Sequence, residues 1–299
     1  MGVLISAILP IALVALCGVW IGRAFPLDVK TLTCVSIYAL LPALVLTGIY
    51  GSTVGLGATV GIVLGFILNC GVLYVLAVAL GKAFHLPKES QKSLVATTLL
   101  ANSGNIGLPF VLFALGEAAL DRAVVYLVTS AIFIASAGPV FLKGEGLRSG
   151  VKVTLKLPVF WAAIAGILLQ ALAWEVAVPI DRALALLSGA AIPIALLILG
   201  VQLSRTPLKF GTYELFAASL RLLVSPLTAY GIGSLLGLRG LDLAVLVMQS
   251  AMPVAVNTLI WVSEFGGDTL RVARTIVLST LMSLVTLPLV LQLVRLSTS

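Results

Sequence analysis

Two polar, helix-breaking segments lie inside long apolar runs of this sequence. The first runs from Ala101 to Phe110 and reads ANSGNIGLPF, and the second runs from Gln249 to Thr258 and reads QSAMPVAVNT. Gly and Pro interrupt a helix and release its backbone groups. Unpaired backbone groups are costly in hydrocarbon, so such interruptions persist only where they line a protein cavity or water. The two segments therefore predict a polar binding site inside an apolar molecule.

The helix ends at these interruptions determine the expected chemistry. We expect the helices to resume near Gly107–Pro109 and near Asn257–Thr258, where each N-terminal end presents free N–H groups and roughly half a positive charge. Such ends favour an anionic group, such as a carboxylate, without a lysine. Alternatively, the nearby polar side chains only satisfy the released backbone groups. The predicted substrate-binding residues are Asn102, Ser103, Asn105, Gly107, Pro109, Gln249, Pro253, Asn257, Thr258 and Arg221.

Arg221 is the only charged side chain well inside a predicted helix. A charge at that depth indicates function. Its long side chain can also reach the nearer membrane surface, so a snorkelling or structural role and a role in substrate attraction or gating both stay open. No Asp or Glu lies near the middle of a predicted helix, which disfavours a carboxylate proton relay.

Composition places the elements that carry these residues in a membrane. The 299 residues are 61% hydrophobic and only 10% charged, whereas a soluble domain carries roughly 25% charged residues. The fold is therefore predicted to be an all-α integral membrane protein in contact with lipid. Because the first basic residue, Arg23, follows the first apolar run, that run is expected to be a retained spanning helix rather than a signal peptide.

Apolar runs of about 20 residues suit helices that cross roughly 30 Å of hydrocarbon. We predict ten transmembrane helices with short connections, and a cytoplasmic linker, 143–156, between two halves. The predicted helices are 3–22, 32–50, 54–80, 92–115, 122–142, 157–174, 182–202, 213–236, 242–263 and 273–294.

Landmarks of the two halves recur at a nearly constant offset. The pairs are Pro10 and Pro158, Pro42 and Pro193, Gly116 and Gly266, and Pro139 and Pro288, with the two interruptions on the same offset. Each half, 1–142 and 157–299, holds five helices, so the second must enter the membrane from the opposite side. The result is a five-plus-five inverted repeat in which the broken helices 4 and 9 run in opposite directions and cross.

The basic residues give the expected orientation. Thirteen of the 18 lie in loops on one side and four on the side of the termini. The positive-inside rule therefore places the loops that carry the thirteen basic residues in the cytoplasm, and both termini outside it. Since the charge is scattered over short loops, no nucleic-acid partner is expected. The three cysteines, Cys17, Cys34 and Cys70, show no metal or redox spacing, and no cofactor is predicted.

Three stretches resemble the auxin efflux carrier family, which includes bacterial malonate- and malate-carrier-like proteins and the plant PIN carriers. They are Tyr38–Leu44, Ala101–Pro109 and the run from Met252 to Asn257. The resemblance implies a fold related to the bile acid sodium symporters. It also implies a scaffold of helices 1, 2, 6 and 7 that forms a homodimer, and a transport unit of helices 3–5 and 8–10 that moves as an elevator in the plasma membrane.

By the same resemblance, the crossing residues of the family correspond to Asn102, Asn105, Pro109, Pro253 and Asn257. The acidic sodium ligands of the bile acid relatives have no counterpart at Met248, and sodium or proton coupling stays open.

The predicted function is secondary or facilitated transport of small organic anions. An anion channel and a membrane sensor that does not transport are the alternatives. An intramembrane enzyme is not expected, because its catalytic groups would have to lie at depth and the only histidine, His85, lies in a basic loop.

Overall fold

The computed structural model describes residues 2–143, 147–205 and 210–298. This part of the chain is 84% helical and contains no strand, which confirms the all-α fold. Residues 144–146 of the predicted linker lie outside the described residues. The α-helices are α1 Gly2–Ala24, α2 Val29–Val35, α3 Leu41–Tyr50, α4 Leu56–Ala83, α5 Lys88–Leu99, α6 Leu108–Leu115, α7 Glu117–Lys143, α8 Leu147–Thr154, α9 Pro158–Ala171, α10 Val178–Ser204, α11 Thr212–Ser219, α12 Ser225–Leu235, α13 Gly240–Ser250, α14 Thr258–Phe265 and α15 Thr269–Thr298.

Several helices are long and apolar enough to cross a membrane. Within the described residues six such spans occur, namely Val29–Tyr50, Leu56–Ala83, Glu117–Ser136, Val178–Ser204, Thr212–Leu235 and Thr269–Arg295. Four more apolar helices are shorter: Leu9–Ala24, Ser103–Leu115, Pro158–Ala171 and Gly240–Ser250. Large aliphatic side chains such as Leu186 and Leu235 are exposed on these helices. Apolar outer faces of this length belong in lipid, so the chain is a multi-span membrane protein.

Three wide π-helical turns interrupt the regular helices of the described chain. They are Ser36–Leu40, Ser103–Gly107 and Leu220–Val224. Each is followed by a helix with proline at its second residue, namely Pro42, Pro109 or Pro226. Proline lacks an N–H and its ring displaces the carbonyl four residues earlier, so widening the preceding turn relieves both defects. Proline permits rather than forces such a turn, since Pro10, Pro193 and Pro288 lie inside continuous helices.

The two short helices α6 and α14 are each followed by a glycine with a positive φ. The residue after α6 is Gly116, with φ +88°, and the residue after α14 is Gly266, with φ +75°. Side chains rarely tolerate this left-handed region, so only glycine closes these helices without strain. Since α6 begins at Leu108 and α14 at Thr258, the two helices lie 150 residues apart, because 258 − 108 = 150.

By its contacts the chain divides into two compact units, each built from both halves of the sequence. Unit 1 comprises Met1–Gly55, Gly104–Val140 and Glu145–Arg205. Inside it, α1 packs on α10, and α3 packs on α9 and α10. The α1–α10 contact is close because glycines face each other: a Cβ on Gly200 would overlap Ala15 O and lie 2.8 Å from Gly18 Cα.

Unit 2 comprises Leu56–Ser103, Phe141–Gly144 and Thr206–Ser299. Inside it, α4 packs on α5, α12 and α13, and α11 packs on α15. One apolar cluster of this unit joins Ala77, Leu94, Val95, Ala217 and Leu220. The predicted inverted repeats, the scaffold and the transport unit stay predictions.

Candidate functional site

The two interrupted segments pair with each other inside unit 2. Between α5 and the helical turn that starts at Ser103, residues 100–102 are not helical, and residues 251–257 separate α13 from α14. Ala101 and Val254 form an isolated antiparallel bridge. Asn102 N donates to Pro253 O at 2.8 Å, and Ala255 N donates to Leu100 O at 2.9 Å. Each interruption therefore supplies backbone partners for the other, which a single broken helix in lipid lacks.

Arg221 holds the carbonyl ends of both interrupted helices. Its Nη1 donates to Thr98 O at 2.7 Å, in the last turn of α5, and its Nη2 donates to Ser250 O at 2.6 Å, at the end of α13. Its Nε donates to Met252 O at 3.0 Å. The side chain is 1% exposed, so it does not snorkel to a membrane surface. The wide turn Leu220–Val224 carries this arginine.

The positive charge of Arg221 balances the partial negative charges at the C-terminal ends of α5 and α13. Each helix C-terminus carries roughly half a negative charge, so the ends of α5 and α13 together match one guanidinium. The planar guanidinium presents several N–H donors in a fixed fork. This arrangement lets Arg221 donate to three backbone carbonyls at the interruption at once.

A second polar network lies beside the α13 end. Asn69 of α4, which is 2% exposed, donates from Nδ2 to Ser250 Oγ at 3.3 Å and accepts from Thr228 Oγ1 at 2.6 Å on its Oδ1. Ser225 Oγ donates to Ser250 O at 2.9 Å. The network therefore ties α4 and α12 to the last residue of α13.

Three fully buried polar side chains flank the pairing without hydrogen-bond partners in the described chain. They are the hydroxyls of Thr98 and Thr258 and both amide atoms of Gln249, and each residue is 0% exposed. A buried polar group without a partner costs about 1–3 kcal/mol. In native proteins such groups mark strain, a functional role, or a place where a water or an ion binds.

The start of α14 differs from the sequence expectation of free N–H groups. Thr258 N and Leu259 N donate to Ala255 O and Val256 O at 3.1 Å each. Ile260 N and Trp261 N both donate to Asn257 O. A tight turn before the helix thus uses these donors, a common end for a helix. The helix end keeps its dipole, but side chains must supply the hydrogen bonds to a ligand there.

The other resumed helix, α6, begins at Leu108, as expected. The wide turn Ser103–Gly107 leads directly into it. Pro109 then occupies the second position of α6, where its missing N–H costs little.

The predicted site residues fall in both units. Unit 2 holds Asn102, Ser103, Arg221, Gln249, Pro253 and Thr258, all buried, and Asn257, which is exposed. Unit 1 holds Asn105, which is half-buried, and the buried Gly107 and Pro109.

Sequence reasoning missed several residues of this place. Thr98, Ser225 and Thr228 were not singled out, and neither was Ser279, whose Oγ accepts from Val254 N at 3.1 Å. Asn69 was not among the predicted site residues. The available signal was the Ser–Pro pair Ser225–Pro226, which resembles the other helix-disturbing prolines but has no polar cluster around it in the sequence.

Comparison with known proteins adds the family. A model of the family described as "Membrane transport protein" matches residues 147–291. An uncharacterized transporter of Methanothermobacter thermautotrophicus is 30% identical over 268 residues, which cover 88% of each chain. An uncharacterized transporter of Methanocaldococcus jannaschii is 32% identical over 232 residues, which cover 74% of this chain and 75% of the relative.

A third relative, from Rhizobium meliloti, is provisionally described as a malonate transporter. It is 28% identical over 205 residues, which cover 65% of this chain and 64% of the relative. Together with the apolar spans and the paired interruptions, these matches identify the chain as a member of the auxin efflux carrier family of membrane transport proteins.

Proposed function

We propose that this membrane transporter carries small organic anions, in particular carboxylates, across the cytoplasmic membrane by alternating access of the elevator type. The substrate group binds at the crossing of two broken helices in a ten-helix, five-plus-five inverted repeat. The observation that carries the proposal is the backbone pairing of residues 100–102 with residues 251–257. Interrupted, paired spans of this kind form the substrate sites of secondary transporters.

The charge distribution supports an anionic substrate. Arg221 offsets the negative ends of α5 and α13, while the first turn of α14 contains no acidic residue. The positive N-terminal end of α14 therefore favours an anion. In the proposal, the amide of Asn257 in unit 2 binds the carboxylate, and Asn105 of unit 1 stays a predicted substrate-binding residue. The unpartnered amide of Gln249 and hydroxyl of Thr258 complete the polar lining.

The repeat in the proposal is supported by matching local structure. In each half a helix, an interruption, an eight-residue helix and a positive-φ glycine follow one another, as α5, α6 and Gly116 and as α13, α14 and Gly266. The homodimer, the elevator motion and the location of both termini outside the cytoplasm rest on the resemblance and on the distribution of basic residues.

The substrate class follows in part from the relative described as a malonate transporter. Uptake of radiolabelled malonate into proteoliposomes that contain the purified chain, with unlabelled mono- and dicarboxylates as competitors, tests it. Saturable uptake with accelerated exchange against internal malonate is the expected result. Uptake that no carboxylate competes with would overturn the substrate class.

Two substitutions test the proposed contacts. Asn105→Ala and Asn257→Ala each remove a hydrogen bond to a charged group, worth about 1.5–3 kcal/mol, so KM should rise roughly tenfold to a hundredfold. The melting temperature should stay near that of the wild type. Gln292→Ala removes an exposed amide from α15 and serves as the control. Loss of folding in both asparagine variants, with unchanged KM where protein survives, would favour a purely structural role.

The same preparation separates the alternative functions. A channel conducts without accelerated exchange, because it needs no alternating step. A sensor shows a carboxylate-dependent thermal shift with no uptake. Either pattern would replace the carrier assignment.

A further inference from the structure

We propose that Arg221 takes the place of a coupling cation at the interrupted helices, so that anion transport by this chain requires no sodium or other metal cation. The inference rests on the proposed function, since it concerns how that carrier completes its site. It treats Arg221 as a positioning residue: its guanidinium acts through the helix ends rather than by touching the substrate.

The guanidinium of Arg221 is a positive group surrounded by backbone carbonyl oxygens. Three backbone oxygens converge on one positive group, with nitrogen–oxygen distances of 2.7 Å to Thr98, 2.6 Å to Ser250 and 3.0 Å to Met252. Two of these oxygens lie at the C-terminal ends of half-helices and one lies in the unwound segment. Carbonyls of these two kinds are the ones that coordinate sodium in transporters with broken helices.

The carbonyl oxygens around Arg221 already accept hydrogen bonds. Ser250 O accepts from both Arg221 Nη2 and Ser225 Oγ, at 2.6 and 2.9 Å, and so employs both of its lone pairs. A metal ion bound to the same carbonyls would also lie next to the guanidinium, and two positive charges in a buried, low-dielectric site repel strongly. The tethered charge therefore excludes a free cation.

The charge of an arginine is permanent at physiological pH. The negative ends of α5 and α13 thus stay compensated whether or not any ion is present outside. The positive end of α14 then stays available to the anion with or without an external cation. A carrier that binds a free cation at this place would instead lose substrate affinity when that cation is withdrawn, by linkage.

The first test compares cations on the wild-type chain. Malonate uptake into proteoliposomes is measured with sodium, potassium or choline as the only external cation, at equal pH and membrane potential. We expect rates that agree within about twofold. A saturable stimulation of about fivefold or more by sodium would overturn the inference.

The second test removes the positive charge of residue 221 from the carbonyl oxygens around it. In Arg221→Gln the guanidinium is lost, and in the control Arg182→Gln the same change is made at an exposed position of α10. We expect uptake by Arg221→Gln in choline to fall at least about tenfold and to recover in part with sodium or with guanidinium ion. Arg221→Lys, which keeps a cation beside the carbonyls, should retain most activity. Uptake by Arg221→Gln that equals the wild type and ignores cations would contradict the inference.

A binding readout keeps this inference separable from the proposed function. Sodium or guanidinium ion should raise the melting temperature of Arg221→Gln and leave that of the wild type unchanged. If the wild type moves no carboxylate, the proposed function fails, while this thermal shift still decides the inference about Arg221. If Arg221→Gln does not fold, Arg221→Lys and the cation series on the wild type decide it.

Discussion

The α1–α10 contact of unit 1 and the paired interruption of unit 2 are held together by different interactions. In the first, helices approach closely because Gly18 and Gly200 carry no side chains, and backbone packs on backbone. In the second, the helices are broken, and Arg221, Asn69 and the two facing segments satisfy the released backbone and polar groups. Within one chain, van der Waals packing and buried hydrogen bonding therefore each hold a pair of elements together.

The two regions differ in whether buried polar groups are left without partners, and this difference indicates which region carries a function. Helix contacts in lipid depend on small residues and close packing, and such contacts have one best arrangement. At the paired interruption, the buried polar groups of Thr98, Gln249 and Thr258 have no hydrogen-bond partner among the residues that the structure describes. Free energy of unfolding is lost there, which a purely structural contact has no reason to tolerate.

The largest expected effect breaks the packed contact. In Gly200→Ala the added Cβ would overlap Ala15 O and lie 2.8 Å from Gly18 Cα, and these backbone atoms can yield only if the helices separate. We expect a loss of about 1–3 kcal/mol in the free energy of unfolding, or more, measured by thermal or denaturant unfolding in detergent.

Gly189→Ala is the matched control on the same helix, because a Cβ at Gly189 meets no atom within 4 Å. Alanine there should stabilise the helix by up to about 1 kcal/mol. Equal melting temperatures for the two variants would show that the close α1–α10 approach does not limit stability.

The second substitution, Gln249→Met, is expected to raise the free energy of unfolding. Gln249→Met removes an amide that is 0% exposed and has no hydrogen-bond partner in the described chain. We expect the free energy of unfolding to rise by about 1–2 kcal/mol, while malonate uptake falls. Gln292→Met, at an exposed position of α15, should change neither. A destabilised Gln249→Met variant would mean that the amide already has a partner, such as an ordered water.

The smallest effect concerns the polar network. Asn69→Leu removes the bonds to Ser250 Oγ and Thr228 Oγ1. Hydrogen bonds between helices in membranes average about 0.6 kcal/mol and reach about 1.7 kcal/mol, so the loss of stability should fall in that range. Thermal unfolding measures it, and Ser188→Ala, at a half-buried position of α10, is the reference. If the free energy of unfolding fell by several kcal/mol instead, Asn69 would be a principal stabilising residue at the end of α13, as Arg221 is.

Much of the fold follows from local patterns that the sequence displays directly. Apolar runs and rare charges specify membrane helices, because hydrocarbon tolerates little else. The interruption after Leu99 and the one after Ser250 were expected from Gly, Pro and Asn in otherwise apolar runs. The wide turn that carries Arg221 was not, since Pro226 resembles Pro193, which sits inside a continuous helix.

The expected free N–H groups at the start of α14 were wrong for a similar reason. Residues 255–257 form a tight turn whose carbonyls accept from Thr258, Leu259, Ile260 and Trp261. Sequence alone predicts that a helix begins near Thr258, but the geometry of the preceding turn decides whether its first donors are still available.

The membrane setting, the helical class and the positions of the two polar interruptions follow from the amino-acid sequence, because they depend on hydropathy and on backbone chemistry local to each segment. The pairing of Ala101 with Val254 and the hydrogen bonds from Arg221 to Thr98, Ser250 and Met252 become visible only in the folded chain. Those partners lie 29 to 153 residues apart in the chain. Contacts at such separation depend on how whole helices pack, and no periodicity in a single segment encodes them.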